Sequence, residues 1–118
     1  MTLRTSHEKP VYVRLRETIA NGILSGRYRD GDPLPSVRAL AADEQANPLT
    51  VAKAYQGFQD EGLVVVKRGV GLFVAPGARA RLTSSERDRF LNQEWPEIRE
   101  RMDRLGIDPA ELLDRERA

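Results

Sequence analysis

The dipeptide Asn47-Pro48 restricts the folding of this chain more than any other feature of it. An asparagine side-chain oxygen can accept from a first-turn N–H, and proline suits the first helical position, where no amide hydrogen is needed. The pair therefore predicts a helix over residues 47–61. Gly62 supplies its stop, and two apolar runs, Leu63-Val64-Val65-Val66 and Leu72-Phe73-Val74, follow as short strands. Arg68-Gly69-Val70-Gly71 lies between them, with two glycines that can take positive φ in a sharp turn. Upstream, Ser36 can cap a short helix from Val37 to about Asp43, with Val37, Leu40 and Ala41 as its buried face. A short helix, a tight turn, a capped second helix and a β-ribbon make an α+β fold, the winged helix-turn-helix.

Length and composition set the frame around this stretch. The 118 residues, 40% of them hydrophobic, allow one modest domain plus an extension, but no second ligand-binding domain. Without cysteine there is neither a disulfide framework nor a thiolate metal site. No apolar run approaches the roughly 18 residues of a membrane span, and the N-terminus lacks an apolar signal region. A soluble, cytoplasmic chain with no membrane association is the expectation. Net charge is only +1, with residues 1–76 mildly basic and the remainder about neutral. Binding to nucleic acid would have to rest on a few placed cations rather than on a basic cloud.

The flanking segments read as support and tail. Residues 1–9 form a polar arm holding the only histidine, His7, which has no metal-ligand spacing around it. From Pro10, Tyr12, Leu15, Ile19, Gly22 and Ile23 recur at three- and four-residue steps, the mark of a support helix ending at Gly26. Asp30-Gly31-Asp32-Pro33 is turn chemistry, and Leu34 begins a short extended piece able to pair with the wing. Pro76 to Arg81 reads as a linker, which gives a winged helix-turn-helix over 1–76 and a helical tail over 77–118. Thr83-Ser84-Ser85-Glu86 spells a capping box that would start the tail helix. Leu91, Trp95, Ile98, Met102 and Leu105 alternate steps of four and three, a heptad-like seam suited to dimerisation. Pro96 should kink that helix or split it, and Asp108 should cap a last short one carrying Leu112 and Leu113.

On the 47–61 helix, Val51, Ala54, Tyr55 and Phe58 make a core stripe, leaving Leu49, Thr50, Ala52, Lys53 and Gln56 exposed in its leading turns. Thr50 can hydrogen-bond a base or a phosphate, Leu49 or Ala52 can meet a thymine methyl, and Lys53 suits a phosphate. Arg38, outward near the N-terminus of the helix that Ser36 caps, has the chemistry of a phosphate grip; the plain alternative is a surface ion pair with Asp43 or Glu44. Lys67, Arg68 and Gly69 form a slim cationic wing tip, whose plain alternative is an ordinary basic hairpin turn. Gly57 is a poor helix residue that close packing against another helix would explain.

Leu34-Pro35-Ser36-Val37-Arg38-Ala39-Leu40-Ala41, Asn47-Pro48-Leu49-Thr50-Val51, Ala54-Tyr55, Glu61-Gly62-Leu63 and Arg68-Gly69-Val70-Gly71-Leu72-Phe73-Val74 together closely resemble GntR-family transcription regulators. The short tail is similar to that of the YtrA-like subfamily. The resemblance implies a base or phosphate contact for Arg38, a major-groove position for Asn47, Leu49 and Thr50, and a minor-groove position for Arg68 and Gly69. It also implies a tail that dimerises the protein and the lack of a large effector domain. Pro48 and Ala52 stand where many relatives carry arginine, so the base preferences of better-known members do not transfer.

The expectation is a dimeric, sequence-specific DNA-binding regulator, a repressor on an inverted-repeat double-stranded operator. A winged-helix module that binds protein rather than DNA is the competing class, since fold alone does not decide function. Catalysis is not expected, because no nucleophile–base pair, phosphate loop or metal-spaced cluster is present, and no cofactor is expected. The aromatic and methionine content of the tail leaves room for a small-molecule effector at the dimer seam or between winged helix and tail.

Overall fold

Asn47 caps the central helix as its chemistry demands: its Oδ1 accepts from the Leu49 N–H at 2.8 Å, and Pro48 occupies the first turn. In the computed structural model, which describes residues 9–117, this helix is α3 (Pro48–Asp60). It follows α1 (Val11–Leu24) and α2 (Val37–Glu44) and precedes β1 (Val64–Lys67) and β2 (Gly71–Val74). Then come α4 (Ala78–Arg89), a π-helical turn (Phe90–Glu94), α5 (Trp95–Leu105) and α6 (Pro109–Arg117). The arm expected over residues 1–9, His7 included, lies outside the described residues except for Lys9, which pairs with Glu17 at 2.8 Å. The chain divides into two units at Thr83/Ser84.

The first unit is a winged helix-turn-helix. Its core gathers Leu15, Ile19 and Ile23 from α1, Leu40 and Ala41 from α2, and Val51, Ala54, Tyr55 and Phe58 from α3. Leu34, Leu63, Val64, Val74 and Ala75 close it from the sheet side. Burying each of the large side chains contributes about 1.5–3 kcal/mol. The α2–α3 turn is tight because Gln45 adopts a left-handed conformation (φ 51°), which lets the Ala46 N–H reach back to Ala41 O at 2.9 Å. Gly62 (φ 76°) ends α3, with the Leu63 N–H bonded to Phe58 O at 2.9 Å.

β1 and β2 pair antiparallel, Val64 opposite Val74 and Lys67 opposite Gly71. The predicted extended piece is present on the free edge of β2. Leu34 N–H donates to Leu72 O and Val74 N–H to Asp32 O, with Pro33 bridged to Phe73 at the position that needs no donor.

Two glycines admit close neighbours. A Cβ at Gly57 would come within 2.6 Å of the Arg16 guanidinium, which stacks 4.3 Å from the centre of the Phe58 ring and pairs with Glu61 at 2.8 Å. A Cβ at Gly22 would lie 2.5 Å from the Tyr28 ring, which packs against the core.

The segment expected to be a linker is instead the start of α4. Asp30 accepts from the Gly77 N–H at 2.7 Å, and Ala78 and Leu82 are buried in the core, so tertiary contacts start the helix one and a half turns before the Thr83–Glu86 signal. That signal sits inside the helix. Pro96 stands in the first turn of α5, where a second segment was expected to start, and the backbone runs into it through the π-helical turn just ahead, with the Trp95 N–H bonded to Phe90 O. The wider turn makes room for a ring that would meet the carbonyl four residues back. Asp108 caps α6 through the Ala110 N–H (3.0 Å), and Glu111 accepts from the Asp108 N–H (3.0 Å). Asp108 caps α6 as the sequence predicts, and Glu111 completes a capping box with it.

These packings predict unequal outcomes for two glycine-to-alanine changes. Gly22→Ala drives a methyl into an aromatic ring and should lower the unfolding free energy by about 1–3 kcal/mol in urea titrations. Gly57→Ala only displaces the tip of a flexible arginine and gains helix propensity, so it should stay within about 1 kcal/mol of wild type.

Candidate nucleic-acid interface

The candidate residues sit on the first turns of two helices and on the wing. Ser36 is spent partly on local structure, its Oγ accepting from the Ala39 N–H at 3.0 Å as the N-cap of α2. This cap sets Arg38 in the first turn, exposed. Arg38 makes no ion pair among the described residues, so the surface pairing with Asp43 or Glu44 is not formed. Burial of the opposite face holds α2 in this rotation, since Leu40 and Ala41 are in the core.

Tyr55 ties α2 to α3. Its ring is fully buried and its hydroxyl donates to Pro35 O at 2.6 Å, just ahead of the Ser36 cap. Burial, reinforced by Tyr28, pushes the Tyr55 phenol well above its ordinary range. The same helix turns Leu49, Ala52, Lys53 and Gln56 to solvent with Thr50 half-buried, and these five line one shallow surface depression. Leu49 is 75% exposed, more than any other large hydrophobic side chain among the described residues. Lys53 makes no ion pair among the described residues, whereas Gln56 donates one amide hydrogen to Asp60 at 2.9 Å. Asn47, exposed, has committed its oxygen to the cap of α3.

At the wing, the Val70 N–H bonds to Lys67 O at 2.8 Å across Arg68 and Gly69. Gly69 takes φ 77° at the third position, where a type II turn requires it. The Lys67 ammonium lies 4.6 Å from the centre of the Phe73 ring, which holds it along the ribbon, while Arg68 is exposed at the tip. Reading the sequence for charge passed over Val70, 72% exposed at that tip. Its signal was available: an apolar residue between two turn glycines has no inner face to occupy. In the second unit Leu91, Ile98 and Leu105 are exposed, Trp95 is half-buried and Met102 is buried. The described residues hold no cluster of three or more potential metal ligands, and no helix long and apolar enough to cross a membrane.

The model for bacterial regulatory proteins of the gntR family matches residues 11–74, from the start of α1 to the end of the wing. The chain belongs to the GntR family. It is a transcriptional regulator with a DNA-binding domain of the winged helix-turn-helix type, and not an enzyme. YhcF of Bacillus subtilis (strain 168), an uncharacterised HTH-type transcriptional regulator, is 28% identical over 90% of this chain and 86% of its own. The HTH-type transcriptional repressor YtrA of the same strain is 34% identical over 71% of this chain, which spans 65% of that relative's length. A GntR family transcriptional regulator from Listeria monocytogenes has a similar structure, with a TM-score of 0.74 at 26% identity over 93% of this chain and 95% of that one. The DNA-binding domain of AraR, solved in complex with an operator, matches with a TM-score of 0.54 at 27% identity over 56% of this chain and 80% of that one.

Tyr55 offers a test of how the two helices are held. Its raised pKa means that the stabilisation is complete below the ordinary phenol value of 10.0 and is lost as pH rises above it. Urea melts of the wild type should show stability falling above about pH 10. Tyr55→Phe should remove that contribution to the alkaline fall and cost about 0.5–1.5 kcal/mol at neutral pH.

Proposed function

We propose that this regulator is a homodimeric repressor that acts in the cytoplasm on an inverted-repeat operator. The leading turns of α3 lie in the major groove, and the wing tip reaches the adjacent minor groove. The observation that carries this reading is the exposed, unpaired Arg38 on the first turn of α2, next in the fold to an α3 whose leading turns face solvent. Arg38 and Lys53 grip phosphates, Thr50 and Leu49 reach base edges, and Arg68 and Gly69 enter the minor groove, with Lys67 and Ser36 against the backbone. Asn47 presents α3 and lends its amide donors to the groove. The repressor named YtrA and the operator-bound AraR domain support this assignment by likeness.

The dimer is supported by the tail. Leu91, Ile98 and Leu105, spaced seven apart in the sequence, are 45%, 41% and 63% exposed, apolar side chains that a single chain leaves in water. A two-fold contact covers the same patch on both copies, with Trp95 at its margin, and Met102 (already buried) stays in place. Half-sites then lie about one helical turn apart. A metabolite that raised the melting temperature in a thermal-shift screen would add a small-molecule effector to this reading.

Arg38→Ala and Thr50→Ala should each weaken binding to duplexes selected from a random pool by about tenfold or more, with unchanged circular dichroism. Retention of full affinity by both variants would reject the placement. Replacing both Ile98 and Leu105 by glutamate should shift sedimentation from dimer to monomer and weaken operator binding, while leaving the winged-helix core untouched. A double variant that still sediments as a dimer would remove the tail from the interface.

A further inference from the structure

The leading end of α3 has few free hydrogen-bond donors. Pro48 has no amide hydrogen, the Leu49 N–H is bonded to Asn47 Oδ1, and the Thr50 and Val51 N–H groups both point to Asn47 O (2.9 and 3.1 Å). The helix end is therefore closed as an anion site, and recognition falls to side chains. Of those in the surface depression, Gln56 has one of its two amide hydrogens on Asp60, so a two-pronged contact with adenine would have to use the remaining hydrogen and the carbonyl oxygen of a side chain already tied along α3. No arginine lies on this face, so the fork that reads guanine is missing. The apolar side chain exposed there is Leu49, 75% accessible, which shares the depression with Ala52, Thr50 and Lys53.

We infer that this chain selects its operator by apolar contact: Leu49, with Ala52 beside it, packs on thymine 5-methyl groups in the major groove and takes the role an arginine–guanine pair would otherwise fill. The inference rests on the proposed seating of α3 in that groove. A leucine held in water by a capped, rigid helix turn gains by being covered, and the thymine methyl is the one apolar group on a major-groove base edge. Lys53, next to it and without an ion pair among the described residues, anchors the backbone so that the methyl contact sets the sequence. The operator should then carry thymine at the half-site positions under the first turn of α3.

Full-length protein and duplexes selected from a random pool provide the test. Each thymine of the selected half-site is replaced in turn by deoxyuridine, which lacks only the methyl, and each guanine by 7-deazaguanine, which lacks only the N7 acceptor. At one or two positions deoxyuridine should weaken wild-type binding about three- to tenfold. Leu49→Ala, whose exposed site leaves the fold intact by thermal melting, should bind the thymine and uracil duplexes equally. Indifference of the wild type to every uracil, or an undiminished uracil penalty in Leu49→Ala, overturns the inference. Sensitivity confined to 7-deazaguanine also overturns it and moves the reading to Lys53, with the regulator standing. If the pool yields no preferred duplex at all, the seating of α3 on DNA falls too.

Discussion

Val51, Ala54, Tyr55 and Phe58 are almost wholly removed from water, and this one stripe decides how α3 is rotated about its own axis. In a helix of 3.6 residues per turn, a step of one position swings a side chain by about 100°. Turning α3 by a single residue would carry Tyr55 and Phe58 towards solvent and bring Lys53 to the core. At about 1.5–3 kcal/mol for each large side chain, with a charge to bury besides, the cost is comparable to the whole stability of a domain this size. The solvent face, from Leu49 to Gln56, is therefore not free to vary independently. Core and candidate interface are two sides of one rigid element. The Tyr55 hydroxyl extends that rigidity to the neighbouring helix by bonding Pro35 O, which fixes where the Ser36 cap and Arg38 begin.

The ends of the helices are finished by residues that look like linker. A helix leaves its last carbonyls without intrahelical donors. Arg79 donates to Leu24 O at the end of α1 (3.1 Å), and Arg81 donates to Gly62 O just past α3 and to Pro76 O (3.2 Å). A guanidinium there satisfies acceptors and lies favourably against the negative end of the helix dipole. The two arginines and the buried Ala78 and Leu82 explain why α4 starts as early as it does. They also make its first turns part of the winged-helix unit rather than of the tail.

Proline and glycine mark the places where backbone geometry was negotiated. In the π-helical turn ahead of Pro96 the Trp95 N–H bonds across five residues to Phe90 O, immediately before the position whose ring has no amide hydrogen to give. At Gln45 a non-glycine residue holds a left-handed φ of 51°, a conformation that L-residues adopt at some cost. It is tolerated because the turn that it closes seats α3 against α2, and the packing of Leu40, Ala41 and Val51 outweighs the local strain.

Much was legible in the residues themselves. The start and stop of α3, the wing and its turn, the cap of α6 and the core stripe all follow from short-range chemistry: a cap, a missing amide hydrogen, a positive φ, a period of three to four. The exposed set on α3 followed too, because it is the complement of the stripe, save for Thr50, which is half-buried. What tertiary structure decided was whatever depended on partners distant in sequence. The Thr83–Glu86 signal was overruled because Asp30, Leu24 and Gly62, dozens of residues away or nearly so, hold the chain helical before it. Whether Arg38 stands free and how exposed Leu49 is are likewise questions of which neighbours arrive in space. Local sequence determines the shape of each element; only the assembled fold determines which of its polar groups are left with something to bind.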